Sequence, residues 1–163
     1  MPVASLTPFA SHTFAVVIAP PSSGIADLLP LRTGFSEVIL PETMIPAADG
    51  AAHPEFSRLI LRRAVSADQF LNTWARRPVA RDCVIVLIAG DQPTAAWQAR
   101  SAVPERLVYS SLNASEPAVL METLELRVRD FGRVDLPASQ AATLDETLKH
   151  FSKRMEHAPN DKT

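Results

Sequence analysis

Alternating apolar and polar side chains predict several short β-strands along the chain. The longest alternating run spans residues 119–129, where Leu124, Leu126 and Val128 share one face and polar side chains take the other. Because successive strand side chains point to opposite faces, the pattern predicts a strand with a core side and a solvent side. The other predicted strands span residues 13–19, 35–40, 56–65, 83–89, 94–101 and 107–111.

The strand that ends at Val65 carries the same division between its two faces. Leu59 and Leu61 alternate with polar positions, and Val65 continues their row, so all three are predicted to face the core. Arg58 and Arg62 are predicted to lie on the wetter face.

A helical period follows this strand. Phe70 and Trp74 lie one turn apart on an apolar stripe, and Ser66 with Gln69 has the spacing of a capping box. Pro78 ends the segment. The pattern predicts one short amphipathic helix that is stable only when its aromatic side packs against a sheet.

A second amphipathic helix is predicted at residues 143–156. Thr143 and Glu146 have capping-box spacing, and a polar side separates the apolar positions. The predicted apolar stripe consists of Leu144, Leu148, Phe151 and Met155.

Prolines and turn residues divide the rest of the chain. With 14 prolines against 5 glycines, the sequence favours many short elements between stiff connections. Residues 41–55 are proline-broken and predict a surface loop, and residues 130–137 predict a turn.

These elements predict a mainly β (α+β) fold. We expect a small antiparallel β-barrel with one flanking α-helix and a C-terminal helix. The predicted organisation is an N-terminal arm at 1–12, a β-barrel domain at 13–137 and a helical extension at 138–163.

Composition narrows the class of protein. The chain has 163 residues, 47% of them hydrophobic, and a net charge of −2, which is typical of one soluble domain and gives no signal for polyanion binding. No apolar run is long enough to span a membrane, and a signal peptide is not expected. Cys83 is the only cysteine, so we expect folding in a reducing cytoplasm with a buried, inert thiol.

The residues of catalytic and metal sites do not occur in useful patterns. The four histidines, His12, His53, His150 and His157, are scattered, and no metalloprotease, paired-cysteine or phosphate-loop motif occurs. We therefore expect no catalytic residue, no cofactor and no metal, and not an enzyme.

Charged and aromatic residues provide the candidate sites. The arginines at 58, 62, 63, 76, 77 and 81 lack interleaved aromatic residues, which favours subunit contacts or solvation over nucleic acid. The candidate interface residues are Arg58, Arg62, Glu125, Arg127, Arg129, Asp49 and Gly50. The candidate core anchors are Phe70, Trp74, Trp97, Leu124 and Leu126.

Several segments, taken in order, resemble the tail tube protein family of contractile phages and phage-like injection particles. Residues 35–38 (Phe-Ser-Glu-Val) resemble its FxEV segment, and residues 59–65 resemble its LxLKRGL strand end. Residues 121–126 (Met-Glu-Thr-Leu-Glu-Leu) are similar to its IETLEL strand, which is the most specific match. Further similar segments are 14–18, 70–74, 84–87, Trp97 and 102–104.

The resemblance implies a structural subunit that forms rings, expected to be hexameric, which stack into the inner tube of a contractile phage tail or injection particle. It implies adjacent rings, sheath and baseplate proteins as partners, with cargo in the lumen as a further option and no sequence-specific nucleic acid. Assembly in the bacterial cytoplasm and a final place in a virion tail or extracellular particle are expected.

Two departures from the family pattern favour a specialised ring at the baseplate or at the tube terminus. The connection over residues 39–58 is shorter than the family's subunit-bridging hairpin, and the extension near 143–156 is unusual. The alternative hypothesis is a ring-shaped carrier or binding module of a secretion system, similar to the type VI secretion ring protein.

Overall fold

The computed structural model describes residues 13–19, 34–45, 54–67, 69–89, 92–116 and 118–135. The predicted N-terminal arm, the predicted C-terminal helix and all four histidines lie outside these ranges. The elements are β1 (Thr13–Ala19), β2 (Phe35–Ile39), β3 (Thr43–Met44), β4 (Glu55–Phe56), β5 (Leu59–Ala64), α1 (Phe70–Arg76), β6 (Arg81–Ala89), β7 (Gln92–Tyr109), β8 (Met121–Arg127) and β9 (Asp130–Val134).

The main sheet is antiparallel and has seven strands. Its hydrogen-bonded order is β1–β6–β7–β8–β5–β2, and β9 pairs with the first half of β7. The prediction of a mainly β fold is confirmed. The predicted barrel is not closed, because β1 and β2 stand at the two ends of the order and no ladder joins them within the described part of the chain.

The long strand β7 joins the two halves of the sheet. Its first half pairs with β6 and β9, and its second half pairs with β8. Between the halves Ser101 has a φ of 50°, which is uncommon for a residue with a Cβ. The Ser101 amide donates a hydrogen bond of 2.9 Å to a carboxylate oxygen of the buried Asp82, which stabilises the bend. The sequence prediction of two separate strands here, at 94–101 and 107–111, is wrong.

A β-bulge follows the bend. Pro104 pairs with Leu126 and Arg106 pairs with Glu125, so Glu105 has no partner of its own on β8. Proline is tolerated in a strand next to such an irregularity, because the ladder is already interrupted there. The bulge lets the strand pass Pro104 without ending.

The core lies between the two halves of the bent sheet. Leu59, Leu61, Leu124 and Leu126 are 0% exposed, and they pack in one cluster with Ile85 from the other half. Leu71 and Trp74 of α1 belong to the same cluster. The alternation that predicted the two central strands therefore also identified their core side.

The helix α1 is shorter than predicted. It begins at Phe70 after Gln69, and no side chain caps its N-terminus, so the predicted capping box at Ser66 is wrong. Contacts of Trp74 hold the helix instead. Its side chain is 3% exposed, and its indole N–H donates a hydrogen bond of 2.8 Å to the carbonyl of Val79. Packing of one aromatic residue, rather than capping, stabilises this element.

Three further predictions need correction. Val65 lies beyond the end of β5 and is exposed, so it does not continue the core row. Residues 130–134 were predicted to form a turn, but they form β9. Their backbone hydrogen bonds are made with β7. The predicted loop at 41–55 contains β3 and one residue of β4, and these two strands pair with each other.

We expect the thiol of Cys83 to be unreactive in the folded protein. Its side chain is 0% exposed, and burial, with a smaller contribution from the neighbouring Asp82, raises its pKa to about 12. A thiol-reactive dye at about pH 8, near the ordinary thiol pKa, should label the protein only after denaturant is added. Because the folded pKa is raised, this group stabilises the fold below the unfolded pKa, and that contribution declines as the pH rises above it. Rapid labelling without denaturant would contradict the burial.

Trp74→Ala is expected to lower the free energy of unfolding by about 3–5 kcal/mol, because it removes a buried aromatic side chain and leaves a cavity. Thermal and urea unfolding of the purified protein would measure the loss. Trp97→Ala is the matched control, because Trp97 is half-buried and lies outside the core cluster. Equal losses in the two variants would show that Trp74 is not the anchor of α1.

Candidate interface

The half of the sheet formed by β2, β5, β8 and the second part of β7 presents a charged face to solvent. Residues directly opposite each other in antiparallel strands share a face, so Glu37 and Arg62 lie together, as do Arg106 and Glu125. We call the set Glu37, Arg58, Arg62, Glu105, Arg106, Glu125 and Arg127 the charged face.

Glu105 is the central acceptor of the charged face. One of its carboxylate oxygens lies 2.6 Å from Nε of Arg58, and the other lies 3.2 Å from Nε of Arg127. The bulge in β7 leaves Glu105 without a ladder partner, and from this position its carboxylate bridges Arg58, just before β5, and Arg127 in β8. Two of the candidate interface residues are thus joined by a glutamate that sequence patterns did not single out.

Two more ion pairs complete the charged face. Arg62 Nη1 lies 3.4 Å from a Glu37 oxygen, and Arg106 Nη1 lies 3.1 Å from a Glu125 oxygen. Exposed pairs of this kind contribute about 0–1 kcal/mol each. Their main effect is to balance charge, since four arginines face three glutamates.

A different ion pair is buried beneath this face. Arg63 Nε lies 2.6 Å from Oε1 of Glu122, and the two side chains are 6% and 4% exposed. The Arg63 guanidinium also lies 5.8 Å from the centre of the Phe35 ring. The sequence grouped Arg63 with the surface arginines. It points inward because neighbours in a strand face opposite sides, so Arg62 and Arg63 cannot both be outside.

Arg81 has a comparable aromatic setting at the start of β6. Its guanidinium lies 5.5 Å from the centre of the Phe70 ring and 5.9 Å from the Trp74 ring. Cation–π contacts at these distances help to hold α1 against the sheet. Arg81 is therefore a packing residue of the helix rather than part of a basic surface patch.

The two ends of this half-sheet are apolar and exposed. At the end where β7 leads into β8, the side chains of Val65, Tyr109, Leu112 and Val119 are exposed; we call this set the loop end. The backbone confirms their common location, since the Val65 amide donates to the carbonyl of Leu120 and Tyr109 pairs with Glu122.

The opposite end carries the second apolar set. Ile39 pairs with Ile60 near the start of β5, and the β3–β4 pair adjoins the same end. We call Ile39, Met44 and Ile45 the hairpin end. Leu112 is 82% exposed and Ile45 is 86% exposed. Exposed apolar side chains grouped at one end of a sheet are candidates for an interaction site.

The remaining predicted site residues are distributed as follows. Arg129 is exposed and lines an open cleft with Pro54, Phe56 and Asp130. Asp49 and Gly50 lie outside the described residues. Among the proposed anchors, Trp74, Leu124 and Leu126 are buried, Phe70 is half-buried against the core, and Trp97 is half-buried outside the core cluster.

Searches for other kinds of site give two results. Within the described ranges, no three acidic, cysteine or histidine side chains come close enough to hold a metal ion. Over the same residues, no helix is long and apolar enough to cross a membrane.

Comparisons with known proteins agree with the fold. Residues 51–132 match the family model of the T4-like virus tail tube protein gp19. No curated protein sequence matches the chain significantly.

Solved structures with a similar fold come from several assemblies. A chain in the anti-feeding prophage tube terminating cap is similar with a TM-score of 0.61 and 14% identity, over 82% of this chain and 95% of that chain. A chain in the anti-feeding prophage baseplate is similar with a TM-score of 0.57 and 22% identity, over 78% and 96%. Hcp1 from Flavobacterium johnsoniae is similar with a TM-score of 0.52 and 12% identity, over 76% and 98%.

Removing one partner of the buried ion pair should destabilise the fold strongly. Arg63→Met leaves the buried Glu122 carboxylate without its cation, which is expected to cost about 3–5 kcal/mol, whereas the double variant Arg63→Met/Glu122→Leu should recover most of that loss. Urea unfolding of Arg63→Met, Glu122→Leu and the double variant, each against the wild type, would measure the coupling energy of the pair.

The neighbouring residue supplies the control for this prediction. Arg62→Met removes an exposed pair with Glu37 and should change stability by less than about 1 kcal/mol. Equal losses for Arg62→Met and Arg63→Met would contradict the assignment of Arg63 to the interior.

Proposed function

The chain belongs to the T4-like virus tail tube protein family, and from this we propose that it forms rings that stack into the inner tube of a contractile phage tail or phage-like injection particle. The protein is a structural tube component and not an enzyme. The finer parts of the proposal are the ring, its position in the tube and its partners.

The observation that carries the stacking proposal is the presence of two exposed apolar ends on one subunit. The loop end and the hairpin end lie at opposite ends of the same strands, so one copy offers both halves of a contact. A contact between two different patches of identical chains is heterologous, and repetition of it builds a linear stack of defined polarity. Burial of such patches is favourable because apolar surface leaves water.

Open strand edges support lateral association within a ring. Both β1 and β2 pair on one side only within the described residues, so their other sides retain backbone donors and acceptors. Two different edges on one chain form a heterologous contact, which closes into a ring when the rotation between copies divides a full turn. We propose a hexameric ring, the number that the family resemblance implies.

The charged face is proposed to line the channel or the outer wall of the ring. Its arginines and glutamates are paired with each other, so little net charge remains to attract a particular partner. This balance supports a surface that passes or contacts other molecules without binding them tightly. Carriage of cargo in the lumen remains the alternative hypothesis.

A specialised position, at the baseplate or at the tube terminus, is the finer proposal on placement. The connection between β2 and β5 is shorter than the subunit-bridging hairpin that the family resemblance implies. Its described part contains only the two-residue pairing of β3 with β4. A short connection limits how far one subunit reaches toward the next ring. We further propose sheath and baseplate proteins as partners and assembly in the bacterial cytoplasm before release in a particle.

Single substitutions at the two apolar ends should stop stacking without unfolding the subunit. Leu112→Asp and Ile45→Asp each place a charge in a contact that should be dry, while both sites are exposed in the single subunit. Negative-stain microscopy and sedimentation of the wild type should show stacked rings, and each variant alone should show single rings. Val79→Asp, at an exposed apolar residue between α1 and β6, is the control and should stack normally.

Mixing the two variants tests the polarity of the contact. Each retains one intact end, so a head-to-tail stack predicts pairs of rings in the mixture and no longer stacks. Paired rings of one variant alone would indicate contacts between like ends. A wild-type protein that stays monomeric at high concentration and joins no particle would overturn the proposed function itself.

A further inference from the structure

The half-sheet formed by β1, β6 and the first part of β7 has a second apolar face that the core does not use. Its members are Ala15, Val17, Val84, Val86 and Ala96, and we call this set the outer face. They alternate with core residues along each strand, and register places them together, since Ala15 and Ala96 both pair with Val86. Val84 is 2% exposed and Val86 is 0% exposed.

The buried apolar residues of α1, β5 and β8 do not pack against the outer face. Leu71 and Trp74 of α1, and the central leucines of β5 and β8, belong to the core cluster on the opposite side of this sheet. A valine on an uncovered sheet face keeps part of its side chain in contact with water. The elements α1, β5 and β8 therefore do not cover the outer face.

We propose that residues 143–156 form the amphipathic helix that their sequence predicts and that its apolar stripe packs on the outer face of the same chain. The stripe from Leu144 to Met155 covers eleven steps of a helix, or about 16 Å. On β6 the row of the outer face runs from Val84 to Ile88, which is four steps of a strand or about 13 Å. The stripe is therefore long enough to cover the outer face along this strand.

The connection from β9 to residues 143–156 starts beside the outer face. β9 ends at Val134, which pairs with Ala96, so the chain leaves the sheet next to the outer face. The eight residues 135–142 can span at most about 26–29 Å, which is enough to turn onto the face and too little to reach a distant neighbour easily. Docking on the same chain therefore costs little loop entropy.

A second candidate within the chain is the segment over residues 20–33, and it fits less well. Pro20, Pro21 and Pro30 interrupt it, and Gly24 separates the first two prolines from the apolar residues. Only residues 25–29 remain for a continuous helix, which at four steps or about 6 Å is about half the length of the outer face.

This proposal does not depend on the proposed function, and it changes what that surface offers to partners. With the stripe docked, the exposed side would carry Asp145, Glu146, Lys149 and His150 instead of valine side chains. A neighbouring protein on this side would meet a charged helix. The outer face itself would be closed to other copies of the chain.

Disulfide trapping in the full chain tests the proposal. Gln98 pairs with Val84 and is half-buried, so Gln98→Cys places an accessible thiol on the outer face, while the native Cys83 is buried. It is combined in turn with cysteine at Leu144, Leu148, Phe151 or Met155. Because a disulfide requires Cβ atoms within about 4.5 Å, at least one stripe variant should form an intrachain bond several-fold more than the controls Asp145→Cys and Lys149→Cys.

Three results would overturn the proposal. Bonds formed only between chains would assign the outer face to a second copy, and a bond from Gln98→Cys to Leu28→Cys would assign it to residues 20–33. Equal trapping at stripe and polar positions would show that the stripe does not face the sheet.

A second measurement covers the case in which cysteine pairs disturb folding. Phe151→Asp should lower the melting temperature by roughly 5–10 °C and increase binding of a hydrophobic dye, since it exposes the outer face. The adjacent His150→Asp should change neither. Equal behaviour of these two variants would contradict the docking.

Discussion

The fold depends on one contact, the hydrogen bond from the Ser101 amide to the Asp82 carboxylate. β7 has to serve two half-sheets, so its backbone has to turn where the partner changes from β6 to β8. A φ of 50° at a residue with a side chain costs free energy, and a charged acceptor at 2.9 Å offsets this cost. Burial of Asp82 strengthens that interaction, because water does not compete for the carboxylate. Without the bend, the leucines of β5 and β8 would not meet the aliphatic side chains of β1 and β6 across one core.

The second constraint is that neighbouring residues of a strand face opposite sides of the charged half-sheet. Arg62 and Arg63 are neighbours in sequence but serve opposite purposes, because one faces Glu37 in solvent and the other faces Glu122 in the interior. A one-residue slip of β5 would turn Leu59 and Leu61 to the solvent side and, depending on its direction, would place Arg62 or Ala64 opposite Glu122. The leucine row and the buried ion pair therefore favour the same register of β5 on β8.

Sequence patterns predicted the parts of the fold that follow from period alone. The alternation in β8 and β5 identified both the strands and their inward leucines, and the apolar run over residues 83–89 predicted the strand β6. Features set by tertiary pairing were missed. Nothing local marks Ser101 as left-handed, and Pro104 suggested an end where a bulge allows the strand to continue. The candidate interface was partly predicted: Arg58 and Arg127 lie on the charged face, but Glu105, which joins them, was not identified because its position depends on that bulge.

The direction in which subunits associate depends on which of their apolar surfaces remain exposed to solvent. The loop end and the hairpin end are small sets at the extremities of the strands, whereas the outer face extends across the three neighbouring strands β1, β6 and β7. A flat apolar sheet face left open would allow copies to associate sideways in several registers, which competes with ordered stacking. Covering that face with a segment of the same chain removes this competing contact at low entropic cost. The proposed docking and the proposed stacking are therefore connected: the first restricts association to the ends and edges, and the second uses what remains.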